Sequence, residues 1–357
     1  MTAARPHAPY LPASLARRRA PPGWSRAAVL AGSAAALAAA ALYNTLRARR
    51  AEREHPPAGR FVEVDGVRLH YLERGEGQGG GPPIVLLHGN VVTAEDWALS
   101  GVLDRLAARG HRVIAFDRPG YGHSERPRGR AWAATDQADL LLRALARLGV
   151  ERPVVVGHSW GTLVALALAL DHPGAARGLV LVSGYYHPTL RADALLVAPA
   201  AVPVLGDLLG HTVSPLLGAA TLPLLVKGMF APLPVPERFE RGFAGAMAVR
   251  PSQVRAEARD GVGMALQAGA MRDGYRGLRT PVVIVAGAED KVVDVGRHAV
   301  RLREEIPGSE LRLVPGAGHM VHHAAPDLVA EAVEAVAARS AALPGSAPRR
   351  LTAAADA

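Results

Sequence analysis

Pro153-Val154-Val155-Val156-Gly157-His158-Ser159-Trp160-Gly161, continued by TLVALALAL over residues 162–170, is the stretch that decides the fold. Three consecutive valines suit a short strand buried on both faces. The apolar run from Thr162 has helical length and is closed by Asp171-His172-Pro173. Between them stands G-x-S-x-G. A strand, a tight turn of that pattern and a helix form a nucleophile elbow, in which the glycines allow a sharp turn and Ser159 is held at its crest with the hydroxyl exposed. An ordinary serine in a glycine-rich turn would not need a buried strand before it and a buried helix after it.

Outward from this stretch, strands and helices alternate. Phe61 to Gly75 (FVEVDGVRLHYLERG) reads as a hairpin turning at Asp65-Gly66. Ile84–Leu87, Arg112–Phe116, Leu179–Ser183, Pro281–Ala286 and Leu311–Val314 read as further strands. Helices are expected over Trp97–Arg109, Thr135–Leu148 and Ala324–Ala338. This alternation predicts an α/β protein with a mostly parallel, doubly wound sheet covered on both faces. The pattern breaks over 185–279, where apolar helical stretches are cut by Pro199, Pro203, Pro215, Pro223, Pro232, Pro234, Pro236 and Pro251. That section is expected to be an inserted helical cap, dividing the core into 61–184 and 280–342.

A serine is a weak nucleophile without a base, and the base needs a carboxylate to fix its tautomer. In open parallel sheets such groups gather at the carboxyl ends of strands. Asp290 follows the strand Pro281–Ala286, with Glu289 and Asp294 as nearby alternatives. His319 follows the strand Leu311–Val314, and Gly318 before it suits a loop that reaches back over the elbow. His322 and His323 are its rivals; H-x-x-H-H would suit a metal only with a supporting carboxylate or a second histidine pair at a fitting spacing. The strand before the cap ends in Ser183-Gly184 and offers no acid. The expected oxyanion donors are the backbone N–H groups of Trp160 and Asn90. His88 reads as a structural histidine. Asp117 to Gly122 contains no obvious catalytic atom and is expected to shape the adjacent loop.

His88-Gly89-Asn90, Asp117-Arg118-Pro119-Gly120-Tyr121-Gly122-His123-Ser124, the elbow, Gly287-Ala288-Glu289-Asp290 and Gly318-His319 together resemble the α/β-hydrolase fold superfamily over about Phe61 to Ala338. Within it, the chain is similar to the branch of haloalkane dehalogenases, epoxide hydrolases, carbon–carbon bond hydrolases and small esterases. His-Gly-Asn and the tryptophan after the nucleophile are especially similar to haloalkane dehalogenases. Those enzymes and epoxide hydrolases use an aspartate nucleophile, whereas this position is Ser159, which argues against both activities. The resemblance implies a serine hydrolase of esters or related acyl compounds, working without a cofactor, with Ser159, His319 and Asp290 as its catalytic residues. The Leu-, Val-, Ala- and Pro-rich cap predicts an apolar pocket for a small acyl substrate.

Composition narrows the remaining classes. The chain has 357 residues and no cysteine, which excludes disulfides, thiolate catalysis and cysteine-based zinc sites. Its net charge of +9 does not indicate nucleic-acid binding. Ten arginines and two glutamates up to Arg60 account for 10 − 2 = +8 of it, leaving a near-neutral globular part. Met1 to Arg26 reads as a disordered basic segment. Ala27 to Leu46 follows as twenty uncharged residues, about the length that crosses a bilayer as a helix. A single-pass anchor over 27–46 is the first reading, with a cleaved export signal or a soluble alanine-rich helix as alternatives; arginines on both sides leave its orientation open. Residues 47–60 are expected to be a linker, and 343–357 a disordered tail. Three competitors to an esterase stand: a hydrolase of carbon–carbon bonds in dienoic ketoacids, with Arg191 or Lys227 meeting the carboxylate; an inactive binding protein that kept the scaffold; and a membrane-associated scaffold, which rests on the N-terminal segment alone.

Overall fold

Val154, Val155 and Val156 do form a fully buried strand, and the eight-stranded sheet is arranged around it. The computed structural model describes residues 25–189, 202 and 205–342; the basic segment up to residue 24, Arg191, Pro199, Pro203 and the expected tail lie outside these. The chain divides into two units at Ala39/Ala40. Helix α1 (Arg26–Glu54) begins in the first and ends in the second. The linker expected over 47–60 is therefore helical as far as Glu54. Arg49 to Glu54 are good helix formers, and Arg50 pairs with Glu54 one turn on at 2.7 Å.

The strands β1 (Arg60–Val64) and β2 (Val67–Arg74) make the expected antiparallel hairpin. Next come β3 (Ile84–Leu87), α2 (Glu95–Leu99), α3 (Val102–Ala108), β4 (Val113–Phe116) and α4 (Ala134–Arg147). The single helix expected over 97–109 is thus two. Gly101, at φ 80°, takes a left-handed conformation that breaks it. The elbow joins β5 (Val154–His158) to α5 (Gly161–Asp171), and β6 (Gly178–Val182) follows.

Helices α6 (Leu205–His211), α7 (Ser214–Phe230), α8 (Glu237–Gly242), α9 (Gly245–Ala248) and α10 (Pro251–Met271) form the insertion before β7 (Val282–Gly287). Its prolines act differently from expectation. Pro215 and Pro251 sit in the first turn of α7 and α10, where no N–H is missed, and Pro223 lies within α7 without ending it. The chain closes with α11 (Arg301–Glu305), β8 (Glu310–Val314), α12 (Val321–Ala324) and α13 (Pro326–Ala341).

Strand order is β1-β2-β4-β3-β5-β6-β7-β8, with only the β1–β2 and β2–β4 pairings antiparallel. Because side chains alternate across a strand, Val155 joins the α4 and α5 layer while Val154 and Val156 join the α3 and α13 layer. The sheet is covered on both faces, and the carboxyl ends of β5, β7 and β8 open onto the loops that carry Ser159, Asp290 and His319.

Candidate active site

Ser159 is left-handed at φ 51°, a conformation a non-glycine residue adopts only under tertiary constraint. The constraint is visible on both sides. A Cβ on Gly157 would lie 2.6 Å from the Gly161 carbonyl oxygen, and one on Gly161 would lie 2.5 Å from the Leu87 carbonyl oxygen. Strand β5, helix α5 and strand β3 therefore meet backbone to backbone, with room for glycine alone. The Ser159 N–H donates to the Val182 carbonyl at 2.9 Å, tying the turn to β6.

His319 comes from the loop after β8 and is 3% exposed. Its Nε2 is 3.0 Å from Ser159 Oγ and its Nδ1 is 2.8 Å from Asp290 Oδ2. Asp290 accepts the Nδ1 proton, which leaves Nε2 as the acceptor facing the hydroxyl. The other oxygen of Asp290 accepts the N–H groups of Val292 and Val293 at 2.8 and 2.9 Å, so the carboxylate is oriented by its own loop. Glu289 and Asp294, the alternative acids, are exposed.

His322 and His323 point away from the serine. Each Nε2 lies 2.7 Å from one oxygen of the buried Asp96, a carboxylate that sequence spacing did not suggest. Burial pushes the Asp96 carboxyl up, but the two rings outweigh this and hold it below its ordinary range. The three residues have the composition of a metal site. Here each histidine Nε2 is at hydrogen-bond distance from one Asp96 oxygen, so the three groups satisfy one another directly. The His158 ring lies 5.0 Å from that of His319, tilted by 50°, and donates from Nε2 to the His319 carbonyl at 3.2 Å. Burial holds it well below its ordinary value, so no second positive charge faces the His319 ring.

The loop His88-Gly89-Asn90 is clamped by one side chain. Buried Arg118 donates to the His88 carbonyl (2.9 Å), the Gly89 carbonyl (3.2 Å) and Asn90 Oδ1 (2.8 Å), and pairs with Asp260 at 2.7 Å. Its guanidinium lies 4.3 Å from the rings of both Tyr121 and Trp160. Tyr121 donates its hydroxyl to Asn90 Oδ1 at 2.8 Å, and Trp160 donates its indole N–H to the Asp260 carbonyl at 3.0 Å. The Asn90 side-chain oxygen is thus engaged in holding the loop. His88 is structural, as expected: Nδ1–H donates to the Gly89 carbonyl and Nε2 accepts the Arg118 N–H. Burial, then Arg118, pushes it down to about 4, so it is neutral near pH 7.

Arg118 and Asp260 were missed by sequence reasoning because 142 positions separate them. One signal existed. Asp260 interrupts the stripe Ala256, Met264 and Ala268 on α10, and a charged residue on a buried stripe needs a partner.

The family model for the alpha/beta hydrolase fold matches residues 82–326. The chain belongs to that family. Haloalkane dehalogenase 2 of Mycobacterium tuberculosis is 26% identical over 293 residues, covering 78% of this chain and 94% of that protein. The dihydrolipoyllysine-residue acetyltransferase component of the acetoin cleaving system of Cupriavidus necator is 34% identical over 143 residues; the match covers 40% of this chain and only 36% of that relative. Among solved structures, a bacterial membrane phospholipase A superposes with a TM-score of 0.62 at 22% identity, over 88% of this chain and 97% of that one. Among the described residues, α1 is the one helix long and apolar enough to cross a membrane, by length and composition.

Proposed function

We propose that the protein is a serine hydrolase that cleaves carboxylic esters or related acyl compounds, attached to a membrane through residues 27–46. The observation that carries this reading is the unbroken line from Ser159 Oγ through His319 to Asp290, at 3.0 and 2.8 Å. Ser159 Oγ attacks the acyl carbonyl as His319 Nε2 takes its proton, and Asp290 stabilises the resulting imidazolium. Collapse of the tetrahedral intermediate releases the alcohol, which leaves with the proton from His319. Water then gives its proton to His319 and hydrolyses the acyl-enzyme, restoring Ser159. The N–H groups of Asn90 and Trp160 are assigned to the oxyanion, a contribution worth about 10²–10³ in rate per donor in comparable sites. Arg118 fixes the loop from which the Asn90 donor comes.

The carbon–carbon bond reading needs a cation for the substrate carboxylate. Lys227 is exposed on α7, and Arg191 lies outside the described residues; a 2-hydroxymuconate semialdehyde hydrolase of a Pseudomonas strain is 33% identical over 132 residues, 37% of this chain, so that reading stands as the alternative. A fluorophosphonate probe tests the proposal. Wild-type protein should be labelled, and Ser159→Ala and His319→Ala should not. A folded wild type that resists labelling would overturn the hydrolase reading in favour of a binding protein.

A further inference from the structure

Apolar residues of the insertion do not all turn inward. On α7, Leu216, Leu217, Leu224 and Leu225 are 39%, 61%, 76% and 47% exposed. Their spacing of one, seven and one residues, bridged by exposed Ala220 and Thr221, puts them on a single helical face. Leu208 in the middle of α6 and Val213 before α7 are exposed apolar residues as well. The only charge in the seventeen residues of α7 is Lys227. A contiguous surface of this kind is rare on a protein surrounded by water on every side.

The opposite face of α7 reaches the candidate site. Val226, Met229 and Phe230 cluster with Val92 and Met320, which lie next to the Asn90 loop and to His319. The Met320 N–H donates to the Met229 carbonyl at 3.3 Å.

The end of α1 is fixed to the start of this surface. Buried Asn44, within the candidate span, donates from Nδ2 to the carbonyls of His211 and Thr212 at 2.9 and 2.7 Å. Farther along α1, Glu52 pairs with buried Arg250 at 2.7 Å. Thr212 is two residues before α7, so wherever Asn44 sits in depth, the first turn of α7 sits too. Arg49, Arg50 and Arg53 are exposed just past the span, and cations at such a position are attracted to an anionic leaflet.

We propose that the outer face of α7, with the α6–α7 turn, docks on an anionic phospholipid bilayer, so that acyl substrate passes from the lipid phase past α7 to Ser159. This rests on the anchoring proposed above for residues 27–46. The surface is a monotopic contact in addition to that anchor: its leucines lie in the boundary between headgroups and acyl chains, with Lys227 reaching back to the phosphates.

The absence of cysteine makes the test direct, since a single introduced thiol is the only one in the chain. Full-length Leu217→Cys, Leu224→Cys and, as a control, the exposed Glu304→Cys are labelled with a polarity-sensitive thiol fluorophore. They are then reconstituted in phosphatidylcholine–phosphatidylglycerol vesicles, with fold checked by circular dichroism. At 217 and 224, emission should shift to the blue and be quenched by lipids carrying a nitroxide on the acyl chain. At 304, emission should stay water-like and be quenched by aqueous iodide. A chain that floats with the vesicles while position 224 stays water-like overturns the docking and leaves the anchor standing. A chain that does not float overturns both. A blue shift without nitroxide quenching assigns the face to a second copy of the chain and also overturns the proposal. Lipid quenching at 224 in a chain whose Ser159 resists fluorophosphonate supports the surface and sinks only the hydrolase reading.

Discussion

Helices α5 and α7 are written in nearly the same alphabet and end in different surroundings. Each is dominated by Leu, Val, Ala and Gly, and each carries one charge, Asp171 in α5 and Lys227 in α7. In α5, Gly161 to Ala169 are all buried, between the sheet on one side and α4 and α10 on the other. In α7 only Pro215, Val226, Met229 and Phe230 are buried. A helix apolar all round states that its surroundings are not water, without saying whether those surroundings are protein or lipid. One apolar face of α7 turns inward and the other outward.

The largest effect should come where α5 begins. Ser159→Ala is expected to lower kcat on an activated ester by about 10⁶, the scale seen when the nucleophile of a comparable triad is removed. Since the hydroxyl makes one hydrogen bond, to His319, thermal stability should hold. A variant that keeps substantial turnover would move the nucleophile elsewhere and leave α5 as a packing helix only.

The comparison itself breaks or survives on a pair of leucines. Leu166 in α5 is 0% exposed and Leu224 in α7 is 76% exposed. Leu166→Ala should cost about 2–5 kcal/mol of unfolding free energy, through lost burial and a residual cavity. Leu224→Ala should stay within about 0.5 kcal/mol in detergent-free buffer, as surface substitutions do. Denaturant titration of the two variants decides it. Equal losses would mean that the outer face of α7 is covered by protein in solution.

What was legible in the sequence follows from the range of each signal. Short apolar or alternating strand runs, with three valines in β5 and Val282 to Val285 in β7 the plainest, and the elbow between β5 and α5 are local patterns, and they gave the sheet and Ser159. Asp290 and His319 were reachable because a parallel sheet brings strand ends to one edge, so that only a few positions compete. Arg118 clamping the Asn90 loop against Asp260, and Asp96 held between His322 and His323, are pairings across the sheet and the insertion. No local period encodes them. The break at Gly101 was within reach, since a glycine amid a helical pattern is a known stop, but the apolar run through Leu103 and Leu106 outweighed it.

Helix α10 supplies a third case, a helix of mixed composition whose buried side carries Gln253 and Asp260 beside its apolar residues. Glu257 stands on it one turn before Asp260, and its Oε1 accepts the Val91 N–H at 3.1 Å and the Gln253 amide at 3.2 Å. Burial pushes its carboxyl up to about 7, against the smaller opposing effects of those hydrogen bonds and of Arg118. Between its ordinary value of 4.5 and about 7, the folded chain holds a proton that the unfolded chain has released. The contribution of this group to stability is thus fully present at low pH and is lost as pH rises through that window. Glu257→Gln keeps an oxygen for the Val91 N–H and removes the titration. Its melting temperature, relative to wild type, should climb by a few degrees between pH 5 and pH 8, while other titrating groups cancel in the subtraction. A difference that stays flat with pH would mean that the Glu257 carboxyl is as well solvated as an exposed one, and that the polar face of α10 is open to water.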